Sequence, residues 1–189
     1  MSYKTNIIKN NKGKVMELEI DIGLRNDIVR FIRDRIVENL EATKRLLELK
    51  EQKYDQTCAG IYTYAVEEYG KILFLNNLNP LPPPNNNKVK VPYTHDNQGF
   101  LDHDHKFDLA LKVLPSSCLL LNKGSYSSTS FSSVFTHTVV ADFDARKSIF
   151  YADFDKNNSY NSVLTPTQVN RSLLENAVEE FLKFMKAQK

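Results

Sequence analysis

The stretch "YTYAVEEYGKILFL" (Tyr62–Leu75) decides the fold, because it has the apolar content of a core helix and yet carries three charged residues. A rotation of about 100° per residue brings four positions onto one side of this helix: Ile61, Ala65, Glu68 and Ile72. Glu68 is therefore expected within the apolar side, where an ionised carboxylate without a partner is costly. It must find a partner, reach a solvent-filled cleft or take up a proton.

Two readings of these carboxylates stay open from the spacing alone. Glu68 either bridges helices inside the fold or belongs to a functional site. Glu67 and Lys71 are four residues apart, which is typical of an exposed pair that stabilises a helix by a few tenths of a kcal/mol. We therefore expect Glu67 and Lys71 on the flank of the helix, beside its apolar side.

Long helices are predicted on both sides of a short break near residue 53. Apolar residues at steps of three and four predict a first helix over 25–52, with a stripe formed by Ile28, Ile32, Ile36, Leu40, Thr43 and Leu47. A second helix is predicted over 55–78, with Asp55 as its N-cap. It ends at the Pro/Asn-rich loop "NNLNPLPPPNNN". Helices joined this closely favour an antiparallel hairpin.

The second half of the chain mixes loops, a short β segment and further helices. Loop is predicted over most of 88–100, and a third helix begins between Leu101 and Asp104 and reaches Leu114. β-Branched and aromatic residues over 135–155 predict two strands that flank "DARK", as a hairpin or an extended segment. Thr165-Pro166 predicts the start of a terminal helix, whose stripe is Val169, Leu173, Leu174, Ala177, Phe181, Leu182 and Met185.

These elements predict a mainly α fold, an antiparallel helical bundle with a small β-hairpin or extended segment before the C-terminal helix. Residues 1–20 are polar and rich in Lys and Asn, which predicts a flexible start. The remaining residues, 21–189, are interpreted as a single helical domain.

Composition says more about the cellular compartment of the protein than about its function. The chain has 189 residues and a net charge of +2, which argues neither for nor against nucleic acid. Its two cysteines, Cys58 and Cys118, have no zinc-site spacing, which indicates a reducing compartment. The first residues lack the apolar region of a signal peptide, and the longest apolar runs are too short to cross a bilayer. We expect a cytoplasmic protein without a membrane partner.

A second group of chemically capable residues lies in "LDHDHKFDLAL". His103 and Lys106 are three apart and share a helical face, where an imidazole could move a proton while an ammonium holds a phosphate. A metal site is an alternative, with potential ligands Asp102, His103, Asp104, His105 and Asp108. It is disfavoured because the two rings of H-x-H diverge by about 200° on a helix. An exposed helix start capped by Asp102 or Asp104 is the remaining alternative.

Taken in order, three motifs resemble the AbiV-like abortive-infection proteins, which are placed among the HEPN helical domains of prokaryotic defence and toxin systems. "EEYGK" supplies Glu67, Glu68, Gly70 and Lys71. "HDHK" supplies His103 or His105 with Lys106, in a register that the sequence leaves open. "RKSIFYADFD" supplies Arg146, Tyr151 and Asp153.

The resemblance implies a HEPN-like bundle and a set of site residues. The implied catalytic residues are Glu68, Lys71, His103, His105 and Lys106, and the implied substrate-binding residues are Glu67, Arg146 and Lys147. Many HEPN domains resemble metal-independent endoribonucleases that use an Arg placed four to six residues before a His. No Arg precedes a His at that spacing in this chain, so the nuclease activity stays an open expectation. No cofactor and no metal are expected.

Two functions follow from the motifs. The first is a defence or toxin-type HEPN protein that acts on or binds RNA. The second is a non-catalytic helical module that dimerises and senses or inhibits a phage or host protein. HEPN-like bundles often pair through their long helices, so the resemblance also implies a homodimer.

Overall fold

The computed structural model describes residues 5–10, 12, 14–95, 98–119, 153–154, 160–161 and 171–188, and over these residues the chain is mainly helical with a small antiparallel sheet. The helices are α1 (Ile22–Glu48), α2 (Asp55–Asn76), α3 (His103–Val113), α4 (Ser116–Leu119) and α5 (Arg171–Ala187). The strands are β1 (Asn6–Lys9), β2 (Val15–Asp21), β3 (Lys88–Pro92), β4 (Asp153–Phe154) and β5 (Tyr160–Asn161). The mainly helical class predicted from the sequence is confirmed.

The chain divides into two compact units. The first unit comprises Met1–Arg35 and Glu67–Ala110. The second unit comprises Ile36–Val66 and Leu111–Lys189. Both α1 and α2 contribute residues to each unit, so helix boundaries and unit boundaries do not coincide.

An antiparallel three-stranded sheet, in the order β1-β2-β3, belongs to the first unit. Leu18 of β2 lies opposite Ile7 of β1 and Val91 of β3. Ile20 and Val91 are buried, because the alternation of apolar and acidic residues in "VMELEI" gives β2 one apolar face. The sheet occupies the segment that we expected to be flexible, and β3 lies in one that we expected to be loop.

The rest of the first unit's core comes from α2 and α3. Tyr69 and Ile72 of α2 and Phe107 of α3 are buried. The rings of Phe74 and Phe100 meet edge to face, with centroids 5.7 Å apart. The Phe100 ring also lies beside the ammonium of Lys106.

The second unit is built on the stripes that the sequence predicted for the first and last helices. The buried residues include Ile36, Leu40, Thr43, Leu47, Leu174, Ala177, Val178, Phe181, Leu182 and Met185. Leu173 is an exception to the predicted stripe, since it is 37% exposed. Tyr62 is buried beside Phe181, and its hydroxyl donates a hydrogen bond to the backbone oxygen of Cys118. At the start of α5, Arg171 pairs with Asp55 at 2.7 Å.

Some of the remaining predicted helices and strands lie within the described residues and can be compared with the structure, and others lie outside them. The predicted helices over 25–52 and 55–78 correspond to α1 and α2, whose ends differ from the prediction by a few residues. The predicted strands around "DARK" and the helix start at Thr165-Pro166 lie outside the described residues, apart from β4 at the end of that region. Within the described part of the chain, no helix is both long enough and apolar enough to cross a bilayer.

Candidate functional site

A buried carboxylate, Glu67, is the centre of a charged cluster in the first unit. Glu67 is 1% exposed, and its Oε1 lies 2.6 Å from Nδ1 of His103 and 3.4 Å from Nζ of Lys106. The three side chains Glu67, His103 and Lys106 are called the Glu67 cluster below. α2 supplies the carboxylate, and α3 supplies both partners because they lie three residues apart on one helical face.

The contact with Glu67 fixes how His103 carries its proton. When Glu67 is ionised, its carboxylate can only accept, and Nδ1–H of His103 is then the donor in this contact. In the neutral ring, Nε2 then carries the basic lone pair. The side chain of His103 is 32% exposed, whereas that of Glu67 is 1% exposed. The imidazole is therefore the member of the Glu67 cluster that solvent reaches.

Lys106 is a buried lysine, with 2% of its side chain exposed. Burial lowers the pKa of Lys106, because the apolar surroundings disfavour the charged ammonium, and Lys71 lowers it further. The carboxylates of Glu67 and Glu68 act in the opposite direction and support the charged form. The ammonium also lies 5.8 Å from the centroid of the Phe100 ring, within the range of a cation–π contact.

Gly70 permits the close approach of α2 to α3 that brings these groups together. A Cβ atom at Gly70 would lie 2.0 Å from the backbone oxygen of Lys106 and 2.6 Å from its carbonyl carbon. Atoms that are not bonded to each other do not come this close, so any side chain at this position would push α3 away. Because Gly70 is three residues after Glu67, it lies on the same helical face, one turn along.

The second carboxylate of "EEYGK" has a different partner. Glu68 forms an ion pair with Lys71, three residues further along α2, and their side chains are 8% and 21% exposed. From the sequence, Glu67 was expected to pair with Lys71, whereas in the structure Lys71 pairs with Glu68 and Glu67 contacts His103. The physical reason is that every residue over 65–70 is buried, so α2 lacks the polar flank assumed for Glu67.

His105 is directed away from the Glu67 cluster. Its ring meets the ring of Phe74 edge to face, with centroids 6.1 Å apart, while His103 contacts Glu67. The backbone N–H of His105 donates to Oδ1 of Asp102 at 3.1 Å, so Asp102 is the N-cap of α3. The expected capping by Asp102 is confirmed, and of the two histidines it is His103 that joins Lys106 at the carboxylate.

Most of the other expected site residues lie in the part of the chain that the structure does not describe. Arg146, Lys147 and Tyr151 lie outside the described residues, and Asp153 belongs to β4. Among the residues that the structure describes, no group of three or more His, Cys, Asp or Glu side chains could hold a metal ion. The Glu67 cluster itself consists of acid–base groups, in which one carboxylate contacts both an imidazole and an ammonium.

The central position of Glu67 was missed from the sequence, although a signal for it exists. The glycine three residues after Glu67 marks a point where another backbone approaches that face of the helix. Comparisons of the chain with protein-family models, with curated proteins and with solved structures found no match. The chemistry of the Glu67 cluster, together with the resemblance of its motifs, is the basis for the function proposed next.

Proposed function

We propose that this chain is an AbiV-like HEPN protein that acts on RNA in the cytoplasm, with His103 as the group that exchanges a proton with the substrate. The observation that carries the proposal is a partly exposed imidazole whose Nδ1 lies 2.6 Å from a buried carboxylate, Glu67. A carboxylate in this position orients the ring and fixes its tautomer, as is required of a general base.

RNA suits this group because it carries its own nucleophile beside a phosphate. In the proposed reaction, Nε2 of His103 accepts the proton of the ribose 2′-hydroxyl while the 2′-oxygen attacks the adjacent phosphorus. The bond from phosphorus to the 5′-oxygen breaks, and the imidazolium returns its proton to that oxygen. The products are a 2′,3′-cyclic phosphate and a 5′-hydroxyl end. A positioned base of this kind contributes about 10²–10⁴-fold to the rate.

Lys71 is the lysine of this region that can reach a bound phosphate. Its side chain is 21% exposed, against 2% for Lys106, and it is paired with Glu68. An incoming phosphate would compete with Glu68 for the ammonium, and charge-assisted contacts of this kind hold a substrate in place. The biological role, abortive infection or toxin action, comes from the resemblance of the ordered motifs.

The experiment is cleavage and binding of total tRNA and rRNA by the purified chain in the presence of a chelator. His103→Ala should lower cleavage by about 10²-fold or more. His105→Ala is the matched control, because His105 lies on the same helix and contacts Phe74 rather than Glu67. The proposal fails if the wild-type chain neither binds nor cleaves RNA, or if the two variants lose the same activity.

A non-catalytic interaction module is the second candidate, and one observation favours it. Glu67 and Lys106 are both 1% exposed, which also suits a purely structural ion pair. Phe31 on α1 is 66% exposed, and it is the residue at which we would test a contact with another protein. In this reading the chain is a homodimer that senses or inhibits a phage or host protein. Light scattering of the wild type and of Phe31→Ser would test the dimer.

A further inference from the structure

We propose that Lys106 is a positioning residue that holds the Glu67–His103 pair at a single proton, and so keeps His103 able to accept a proton at neutral pH. The proposal rests on the proposed function, in which His103 is the base. It assigns Lys106 a role without contact with the substrate, unlike the direct phosphate contact that the sequence motif suggested.

The geometry links Lys106 to His103 through one atom. Oε1 of Glu67 is the acceptor for both residues, at 2.6 Å from Nδ1 of His103 and 3.4 Å from Nζ of Lys106. The side chain of Lys106 is 2% exposed, so an RNA chain cannot touch the ammonium while α3 is docked. The side chain of His103 is 32% exposed. A change at Lys106 therefore reaches His103, the exposed member of the Glu67 cluster, through the shared carboxylate of Glu67.

Electrostatics explains why such a lysine is needed. A buried carboxylate beside an imidazole favours the doubly protonated ring, and an imidazolium has no lone pair with which to accept a proton. A second cation at Glu67 opposes this effect, because it satisfies part of the negative charge and repels the extra proton. Among the residues that the structure describes, the other charged groups that act on Lys106 are Glu68 and Lys71, both from α2. Lys71 disfavours the charged form of Lys106 and Glu68 favours it, and these two residues also pair with each other.

The test is a pH titration of the histidine rings, monitored by NMR on the ¹⁵N-labelled full chain without RNA. In Lys106→Met the midpoint of the His103 titration should rise by roughly 1–3 pH units, the range for gain or loss of one nearby charge. Lys112→Met is the matched control, because Lys112 is an exposed lysine in the last turn of the same helix. It should leave the His103 midpoint unchanged.

A second variant and a wild-type measurement cover loss of folding. Lys106→Gln keeps a hydrogen-bond donor and removes the charge, so it should shift the His103 midpoint in the same direction. In the wild type at pH 7, the ring should be neutral, with its proton on Nδ1. An imidazolium at pH 7 in the wild type overturns the proposal, as does an unchanged His103 midpoint in either folded variant.

Kinetics separates a positioning role from a binding role. If Lys106 acts through His103, Lys106→Met should move the acidic limb of the pH profile of kcat/KM to higher pH. KM should stay within about 2-fold of the wild-type value, because the substitution removes no contact with the substrate. A rise in KM without a shift of the pH profile would show that Lys106 contacts the substrate, against the proposal. If the wild type proves inactive on RNA, the proposed function fails, while the NMR titration still decides the role of Lys106.

Discussion

A methyl group on Gly70 would come within 2.0 Å of the backbone oxygen of Lys106. The distance between α2 and α3 at this point is therefore set by the absence of a side chain. Because Glu67 lies one turn before Gly70 on the same face of α2, the same close approach brings Glu67 within 3.4 Å of the Lys106 ammonium. The glycine of "EEYGK" is thus a structural requirement of the Glu67 cluster.

Gly70→Ala should destabilise the chain and loosen the Glu67 cluster. Forcing a methyl group against backbone costs typically about 1–3 kcal/mol in the free energy of unfolding, and here the clashing atom cannot rotate away. Denaturant unfolding measures the loss. Gly23→Ala is the control, since Gly23 is exposed in the first turn of α1. There alanine should raise the free energy of unfolding, by at most about 1 kcal/mol. Equal effects at the two sites would contradict the close approach at Gly70.

The α1 stripe and the Glu67–Glu68 pair show which features the apolar periodicity of the sequence predicts and which it does not. The stripe from Ile32 to Leu47 was predicted and is buried, because α1 buries one face and exposes the other. The choice between Glu67 and Glu68 was not predicted, because it depends on α3, which covers a face of α2 that periodicity assigns to solvent. Only long-range packing decides which of the two buried carboxylates contacts His103 and Lys106.

The sheet was missed for a related reason. β2 carries the strand-like alternation "VMELEI", but its partner β3 lies far along the chain, beyond both long helices. Local pattern does not reveal such a partner, and a lone hairpin at the start of a chain is only marginally stable. The pairing of Ile20 with Val89 and of Leu18 with Val91 gives the hairpin a third strand and a buried face.

Glu67→Ala should be strongly destabilising, because it leaves the buried Lys106 ammonium without its carboxylate. Breaking a buried ion pair from one side costs about 3–5 kcal/mol, whereas replacing both partners with apolar residues is often close to neutral. The double variant Glu67→Met/Lys106→Met should therefore be more stable than Glu67→Ala in denaturant unfolding. It should nevertheless lose the RNA cleavage proposed above, because His103 no longer has its carboxylate. A double variant with wild-type cleavage would remove Glu67 from the proposed mechanism.

Tyr62→Phe should lower the stability of the second unit's core. The Tyr62 side chain is fully buried, and its hydroxyl donates to the backbone oxygen of Cys118, which would lose a partner in an apolar environment. The expected cost is about 1–3 kcal/mol in the free energy of unfolding. Tyr64→Phe is the control on the same helix, since Tyr64 is 38% exposed and water can replace its contacts. A cost that is no larger for Tyr62 than for Tyr64 would argue against the buried hydrogen bond.

The two buried thiols should make the fold sensitive to alkaline pH. Burial raises the pKa of Cys118 from 9.0 to about 11, and burial together with Asp55 does the same for Cys58. The folded state holds these protons more tightly than the unfolded state. Their contribution to stability is therefore complete below pH 9 and is lost as the pH rises towards 11. The expected loss is up to about 2 kcal/mol for each thiol.

Lys106 contributes with the opposite sign, so the thiol effect must be isolated by comparison. Burial lowers the pKa of Lys106, and its unfavourable contribution is therefore relieved as the pH rises towards 10.5. Cys118→Ala removes one thiol and leaves Lys106 in place. The variant should be less stable than the wild type at pH 8, because a buried group is lost, and the gap should narrow by pH 11. Denaturant unfolding at the two pH values measures this gap, and a constant gap would show that the Cys118 thiol titrates alike in the folded and unfolded chains.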